Sequence, residues 1–269
     1  MFYLLLIFAF VLCAPIPALG QADYRNLDPG RPISIEDAQP IEFRAFEFQL
    51  GIPRYSRGEG GGGALSVEPE LKWGFAKDWQ AGVSGELIRL RDDGAARRFR
   101  ETQIHFFYNL NQEGRALPAI SFRPELTVGT GARGSEKPHG TLKGIMSKSV
   151  GTGRIHLNGA YTAGPTEGSD HGEGGASRYL YGIALERTFP LAFVALLAGL
   201  SVQKPISAAP PEMIGDLGAR LQLTPTWVLD VGIFTGLRNG PDFGWTVGLS
   251  HVFSFRSLFP TEGMKGERS

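Results

Sequence analysis

Between Trp227 and Phe255 the chain reads WVLDVGIFTGLRNGPDFGWTVGLSHVFSF. Trp227, Leu229, Val231, Ile233, Trp245, Val247, Leu249, Phe253 and Phe255 fall on one phase, and Asp230, Gly232, Gly236, Thr246, Gly248 and Ser250 on the other. A period of two residues belongs to a strand, because successive Cβ atoms point to opposite faces. The pattern recurs upstream over residues 41–51, 64–75, 79–90, 99–110, 118–129, 141–149, 154–163, 178–188, 191–203 and 213–223. With the final hairpin this gives about twelve strands. The first slips phase at Ala45-Phe46, which is read as a β-bulge.

The connections alternate in length. Residues 76–78, the Val150-Gly151 corner, 189–190 and 224–226 are short, and 111–117 is intermediate. Residues 52–63, 91–98, 130–140, 164–177 and 204–212 are longer, polar and glycine-rich. Thirty-seven glycines in 269 residues oppose a helical bundle and suit turns and close backbone approach. A chain crossing a layer repeatedly, with tight turns on one side and long loops on the other, is the pattern of a bacterial outer-membrane barrel. The expected fold is therefore an all-β, transmembrane, antiparallel up-and-down barrel.

Alternation alone leaves the wet face open, since a soluble barrel has the same period with its apolar face inward. Two observations favour lipid outside. Aromatic residues gather at strand ends, with Trp73, Trp79, Tyr108 and Trp227 beside short turns and Tyr161, Tyr179 and Trp245 towards long ones; Phe255 closes the last strand. Such girdles sit at membrane interfaces. The polar phase carries Glu68, Glu70, Lys72, Glu86, Arg123, Glu125, Arg154, His156, Asn158, Glu186, Arg220 and Asp230. An Arg or Lys facing lipid near the midplane costs about 2–4 kcal/mol, so this phase lines the lumen and these twelve residues are the candidate solute path. Residues 189–202, FPLAFVALLAGLSV, fit least well: both phases are apolar, and the run is read as a strand whose inward face is small.

The first residues, FYLLLIFAFVLC (2–13), form an apolar run of signal-peptide length, and Ala18-Leu19-Gly20 supplies a small-x-small cleavage pattern. The expected division is a signal peptide over 1–20, an extended periplasmic segment over 21–40, the barrel over 41–255 and a polar tail over 256–269. Export past Gly20 removes Cys13, the one cysteine, so no disulfide is expected. Lys+Arg and Asp+Glu both count 27, which suggests no nucleic-acid partner.

Other motifs favour bland readings. GTGARG (129–134) has dinucleotide-loop spacing, but Pro138 and Gly140 break the helix that chemistry needs. Ser169, Asp170, His171 and Glu173 share one long loop and read as solvated. His156 and Asn158 project into the same lumen, yet no His-x-Ser spacing accompanies them, so they read as a hydrogen-bond network and not as catalytic groups. No catalytic residue, metal site or cofactor is expected.

The stretches RNLDPGRPISIEDAQPIE (25–42), HFFYNLNQEGRALPAISFRPELTVGTGARGS (105–135), SKSVGTGRIHLNGAY (147–161) and the closing hairpin resemble the MetA-pathway-of-phenol-degradation-like outer-membrane proteins. The resemblance implies a small exported barrel that transports hydrophobic or aromatic compounds, and it supplies no defined functional residues.

Together these readings predict a barrel passing small molecules, aromatic or hydrophobic ones included, by diffusion. Its partners are outer-membrane lipid, the barrel-assembly machinery during insertion and a small-molecule solute. A non-conducting structural or surface-interaction barrel is the alternative, and an outer-membrane hydrolase the remotest. Eight strands leave a filled interior and 16–18 an aqueous channel, so twelve leaves pore against plug open. Nothing in the sequence decides whether residues 23–40 enter the lumen.

Overall fold

A computed structural model describes residues 26–51, 54–57, 63–90, 97–129, 138–164, 177–187 and 193–254. Residues 1–25, which include the expected signal peptide, Phe255, residues 256–269, residues 130–134 and the loop holding Ser169, Asp170, His171 and Glu173 lie outside these residues. Every regular element among the described residues is a strand: β1 (Phe46–Gly51), β2 (Arg54–Arg57), β3 (Gly63–Val67), β4 (Glu70–Ala76), β5 (Trp79–Leu90), β6 (Arg97–Asn111), β7 (Ala119–Gly129), β8 (His139–Val150), β9 (Gly153–Ala163), β10 (Arg178–Arg187), β11 (Val194–Pro205), β12 (Glu212–Thr224), β13 (Trp227–Arg238) and β14 (Phe243–Phe253).

β1 and β2 form one crossing, and β3 and β4 another, because both halves of each pair to the same neighbouring crossings. The fourteen segments thus make twelve crossings, each antiparallel to the next. Pairing of β1 with β14, from Phe46↔Phe253 to Gly51↔Gly248, closes the sheet on itself. Closure removes the unpaired edge that a bilayer cannot tolerate. Turns such as the one at Gly151, where φ is +60°, stay short because glycine adopts that conformation freely.

The outward phase is apolar, with Leu142, Tyr181, Leu185 and Leu217 each more than half exposed. The inward phase is polar and buried, as at Lys72, His105, His156 and Asp230. This inversion of a soluble protein identifies lipid as the outer solvent. Stacked or tilted rings mark the strand ends, including Trp79–Tyr108 at 4.4 Å, Phe46–Trp73 at 5.8 Å, Trp227–His251 at 4.3 Å, Tyr161–Tyr179 at 5.1 Å and Tyr55–Trp245 at 6.0 Å.

The phase slip at Ala45-Phe46 falls where a turn meets the strand: the Ala45 N–H bonds the Glu42 carbonyl at 3.0 Å, and Arg44, at φ 71°, and Ala45 both pair with Gly74, the two-against-one pattern of a bulge, before the strand begins at Phe46. One local expectation changes. Residues 26–45, expected in large part as a periplasmic extension and a first half-strand, lie inside the barrel. The hydrogen bonds below place them there.

Candidate functional site: a plugged lumen

Inward side chains of successive strands hold the segment 26–45. Thr246 on β14 donates to the Gly30 carbonyl at 3.4 Å, and Asp216 on β12 accepts the Ser34 N–H at 2.8 Å. Asn158 on β9 clamps Glu36, its oxygen taking the N–H at 3.0 Å and its amide donating to the carbonyl at 2.8 Å. Ser147 on β8 accepts the Ala38 N–H at 2.9 Å, while Ser121 on β7 and Asn109 on β6 both donate to the Ala38 carbonyl at 2.8 Å. Gln80 on β5 accepts the Ile41 N–H at 2.9 Å. The segment therefore circles the inner wall, and side chains supply the backbone partners that burial demands.

Charge adds to this hold. Glu36 sits 2.8 Å from Arg123 and 2.7 Å from Lys143, and Asp37 lies 3.3 Å from Arg154. Asp28 bonds Lys72 and the Gln49 amide and lies 3.9 Å from Arg220, which in turn pairs with Asp230 at 3.2 Å. Arg31 donates to the Gln49 side-chain oxygen and to the Glu68 carbonyl.

Shape completes the fit. A Cβ at Gly218 would stand 2.7 Å from the Pro32 ring, one at Gly182 would collide with Ile35, and one at Gly232 with the Pro32 carbonyl. Leu27, Ile33 and Ile35 of the segment cluster with Ala184, Ala195 and Leu197. The small, apolar inward face of residues 194–199 is thus a socket for the plug.

All twelve sequence-selected residues lie on barrel strands or, for Glu68, between β3 and β4. Lys72, Arg123, Arg154, Asn158 and Arg220 contact plug residues through the bonds above. Glu186 joins Arg154 at 3.4 Å and His156 at 3.1 Å. Glu125 pairs with Arg123 at 3.2 Å, Glu70 lies 3.5 Å from His105, and Glu68 accepts the Ser84 hydroxyl at 2.8 Å. Glu86 is half-buried and opposite Glu101 in the β5–β6 register. The sequence reading missed Asp216's contact, Gln80, Ser121, Ser147 and Lys143, although alternation already places Asp216 on the polar phase.

It also missed a cross-strand relay. Ser147 and His156 face each other in the β8–β9 register, Oγ to Nδ1 at 2.8 Å, with Nε2 of His156 on Glu186. A search for Ser and His close in sequence does not see partners on neighbouring strands. The relay is fully buried, and Ser147 Oγ holds the plug's Ala38 N–H, so it works as a clasp.

A cavity of about 250 Å³ remains at the long-loop end, floored by Pro29, Gly30, Arg31 and Ser34 of the plug. At the short-turn end the two ends of the segment meet, Asn26 lining a small space with Pro40, Ile41 and Glu42.

No family model matches the chain, and no curated protein sequence matches it. Solved structures do. The NanC porin aligns at 9% identity over 77% of this chain and 98% of that one, with a TM-score of 0.56. An outer membrane channel from Pseudomonas putida F1 aligns at 15% identity over 85% and 100%, with a TM-score of 0.53. The fold is that of outer-membrane porins and channels. Outer membrane phospholipase A from Escherichia coli superposes more loosely, at 10% identity and a TM-score of 0.46 over 90% and 100%. The narrower placement in a phenol-degradation-like family rests on the sequence resemblance alone.

Burial pushes the Asp28 carboxyl up, but Lys72, Arg220 and Arg31 around it win and hold it below the usual carboxylate range; Lys143 and Arg123 do the same for Glu36. Depressed docked values mean that this stabilisation is complete above the ordinary carboxylate range, shrinks as pH falls below about 4, and is gone below the docked values. Acidification through about pH 4 is therefore expected to lower the protection of the plug amides, measured by hydrogen–deuterium exchange of residues 26–45 relative to the intrinsic exchange rate at each pH. Asp28→Asn removes its share of that pH dependence; identical profiles for the two proteins contradict the assignment.

Proposed function

We propose that the protein is an outer-membrane channel for small molecules and that residues 26–45 are its gate. The observation that carries this is the trough of Gly182, Gly218 and Gly232, backed by Ala184 and Ala195. These walls are small where the plug lies, so withdrawing it opens a path that the barrel's own side chains do not fill. The hold on the plug is mostly side-chain hydrogen bonds and ion pairs, which water can replace, and its backbone bonds to a barrel strand are those of Arg44 and Ala45 to Gly74 of β4, where the segment passes into β1. Short turns face the periplasm in such barrels, which puts the plug's entry and exit on that side.

The solutes implied by the sequence resemblance are aromatic or hydrophobic, and passage is passive. Liposome swelling across aromatic and polar solutes tests the reading. The mature protein is expected to give low, intermittent flux, raised wherever the plug is loosened. A barrel impermeable in both states supports the structural alternative instead.

A further inference from the structure

The chemistry of the long-loop cavity is unevenly divided. Three carboxylates face it, Glu68, Glu70 and Glu125, and each has a wall partner in Ser84, His105 or Arg123. Two guanidiniums face it with no carboxylate in ion-pair contact among the described residues. Arg31 is bonded to two neutral oxygens. Arg178, half-buried at the start of β10, has no hydrogen bond or ion pair among them. Beside Arg178 the wall turns apolar at Leu180, Ala160 and Ile214.

We propose that this vestibule binds a small organic carboxylate, its head group at Arg178 and its apolar body against Leu180, and that the bound anion loosens the plug. The proposal rests on residues 26–45 being the gate, and it names the ligand that acts on it. A guanidinium recognises a carboxylate by paired, charge-assisted hydrogen bonds, which neither an alcohol nor an amine reproduces. An apolar cavity of about 150 Å³ holds benzene, so this one has room for a single ring carrying a carboxylate. Coupling follows from shared groups. Arg123 and Lys143 line the same cavity and are the two cations that hold Glu36 of the plug. A second anion beside them competes with Glu36, and Arg31, in the floor, moves with the segment it belongs to.

The test uses the full mature chain in detergent, titrated calorimetrically with benzoate, benzyl alcohol and benzylamine. Benzoate is expected to bind about ten-fold or more tightly than the other two, and Arg178→Gln to weaken it by about ten-fold. Arg238→Gln, the same charge loss at an exposed position ending β13, leaves binding unchanged. Equal affinity for benzoate and benzyl alcohol, or an Arg178→Gln protein that binds like the parent, overturns the site. In planar bilayers benzoate on the long-loop side is expected to raise open probability. Binding without that rise overturns the coupling. A protein that conducts once its plug is displaced by other means but never binds benzoate overturns this inference and leaves the channel reading standing.

Discussion

Gly232→Leu is expected to open the barrel. The new Cβ would sit inside contact distance of the Pro32 carbonyl, a backbone atom that no rotamer change can move, and 3.0 Å from the Thr246 methyl. Overpacking of this kind costs about 1–3 kcal/mol, and the yielding partner is the plug, which unlike β13 is outside the closed sheet. The strand itself gains, because glycine inside a strand is unfavourable. Conductance in planar bilayers should rise about ten-fold or more while far-ultraviolet circular dichroism stays that of a folded barrel. Gly144→Leu is the control. A Cβ there meets nothing nearer than the Gly159 carbonyl at 3.9 Å, and conductance should stay at the parent level. Equal conductance in the Gly232 variant and the parent would mean that Pro32 is not seated where the trough places it.

Glu36→Gln is expected to release the plug without adding bulk. The carboxylate is 2% exposed and answers both Arg123 and Lys143. Breaking a buried pair costs about 3–5 kcal/mol. Arg123 keeps Glu125 at 3.2 Å, which argues for the lower end. A loss of about 3 kcal/mol shifts the docked-to-released ratio by on the order of 10². The readout is amide exchange at Glu36 and Ala38, whose N–H groups are held by Asn158 and Ser147. Both should exchange on the order of 10² faster while β13 amides keep their protection. Exchange that stays slow at both positions would show that the ion pairs contribute little to docking.

Much of the barrel was legible because alternation is local. The strand over Trp79–Leu90 coincides with its sequence range, and the apolar phase of β13 and β14 is the exposed one. The wall residues were legible for the same reason. Lys72, Arg123 and Asp230 are buried inward because a bilayer forbids them outside. The plug was not legible. Residues 26–45 have no period, since they follow the curve of the wall and draw side-chain hydrogen bonds from one strand after another. Two traces of it are visible in the sequence. Ala195 and Leu197, on the inward face of the apolar run, form part of the socket for Leu27, Ile33 and Ile35, and the phase slip at Ala45-Phe46 marks the passage from plug to strand. The Ser147–His156 contact escaped because register, which sequence spacing does not carry, sets cross-strand neighbours.

A reversible lock on the plug tests the central claim most directly. A Cβ built at Gly182 lies 3.2 Å from Cγ1 of Ile35, the position a cysteine sulfur takes, and a disulfide sets Cβ about 3 Å from the partner sulfur. Cys13 is the sole cysteine of the sequence, so in a chain that starts at Gln21 Ile35→Cys with Gly182→Cys forms a defined pair. The measurement is planar-bilayer conductance of this double variant, oxidised and then reduced in the same membrane. The oxidised protein is expected to be silent and the reduced protein to conduct, because only the latter can withdraw residues 26–45. Conductance that is the same before and after reduction, with the disulfide confirmed by mass, would contradict a gate formed by this segment.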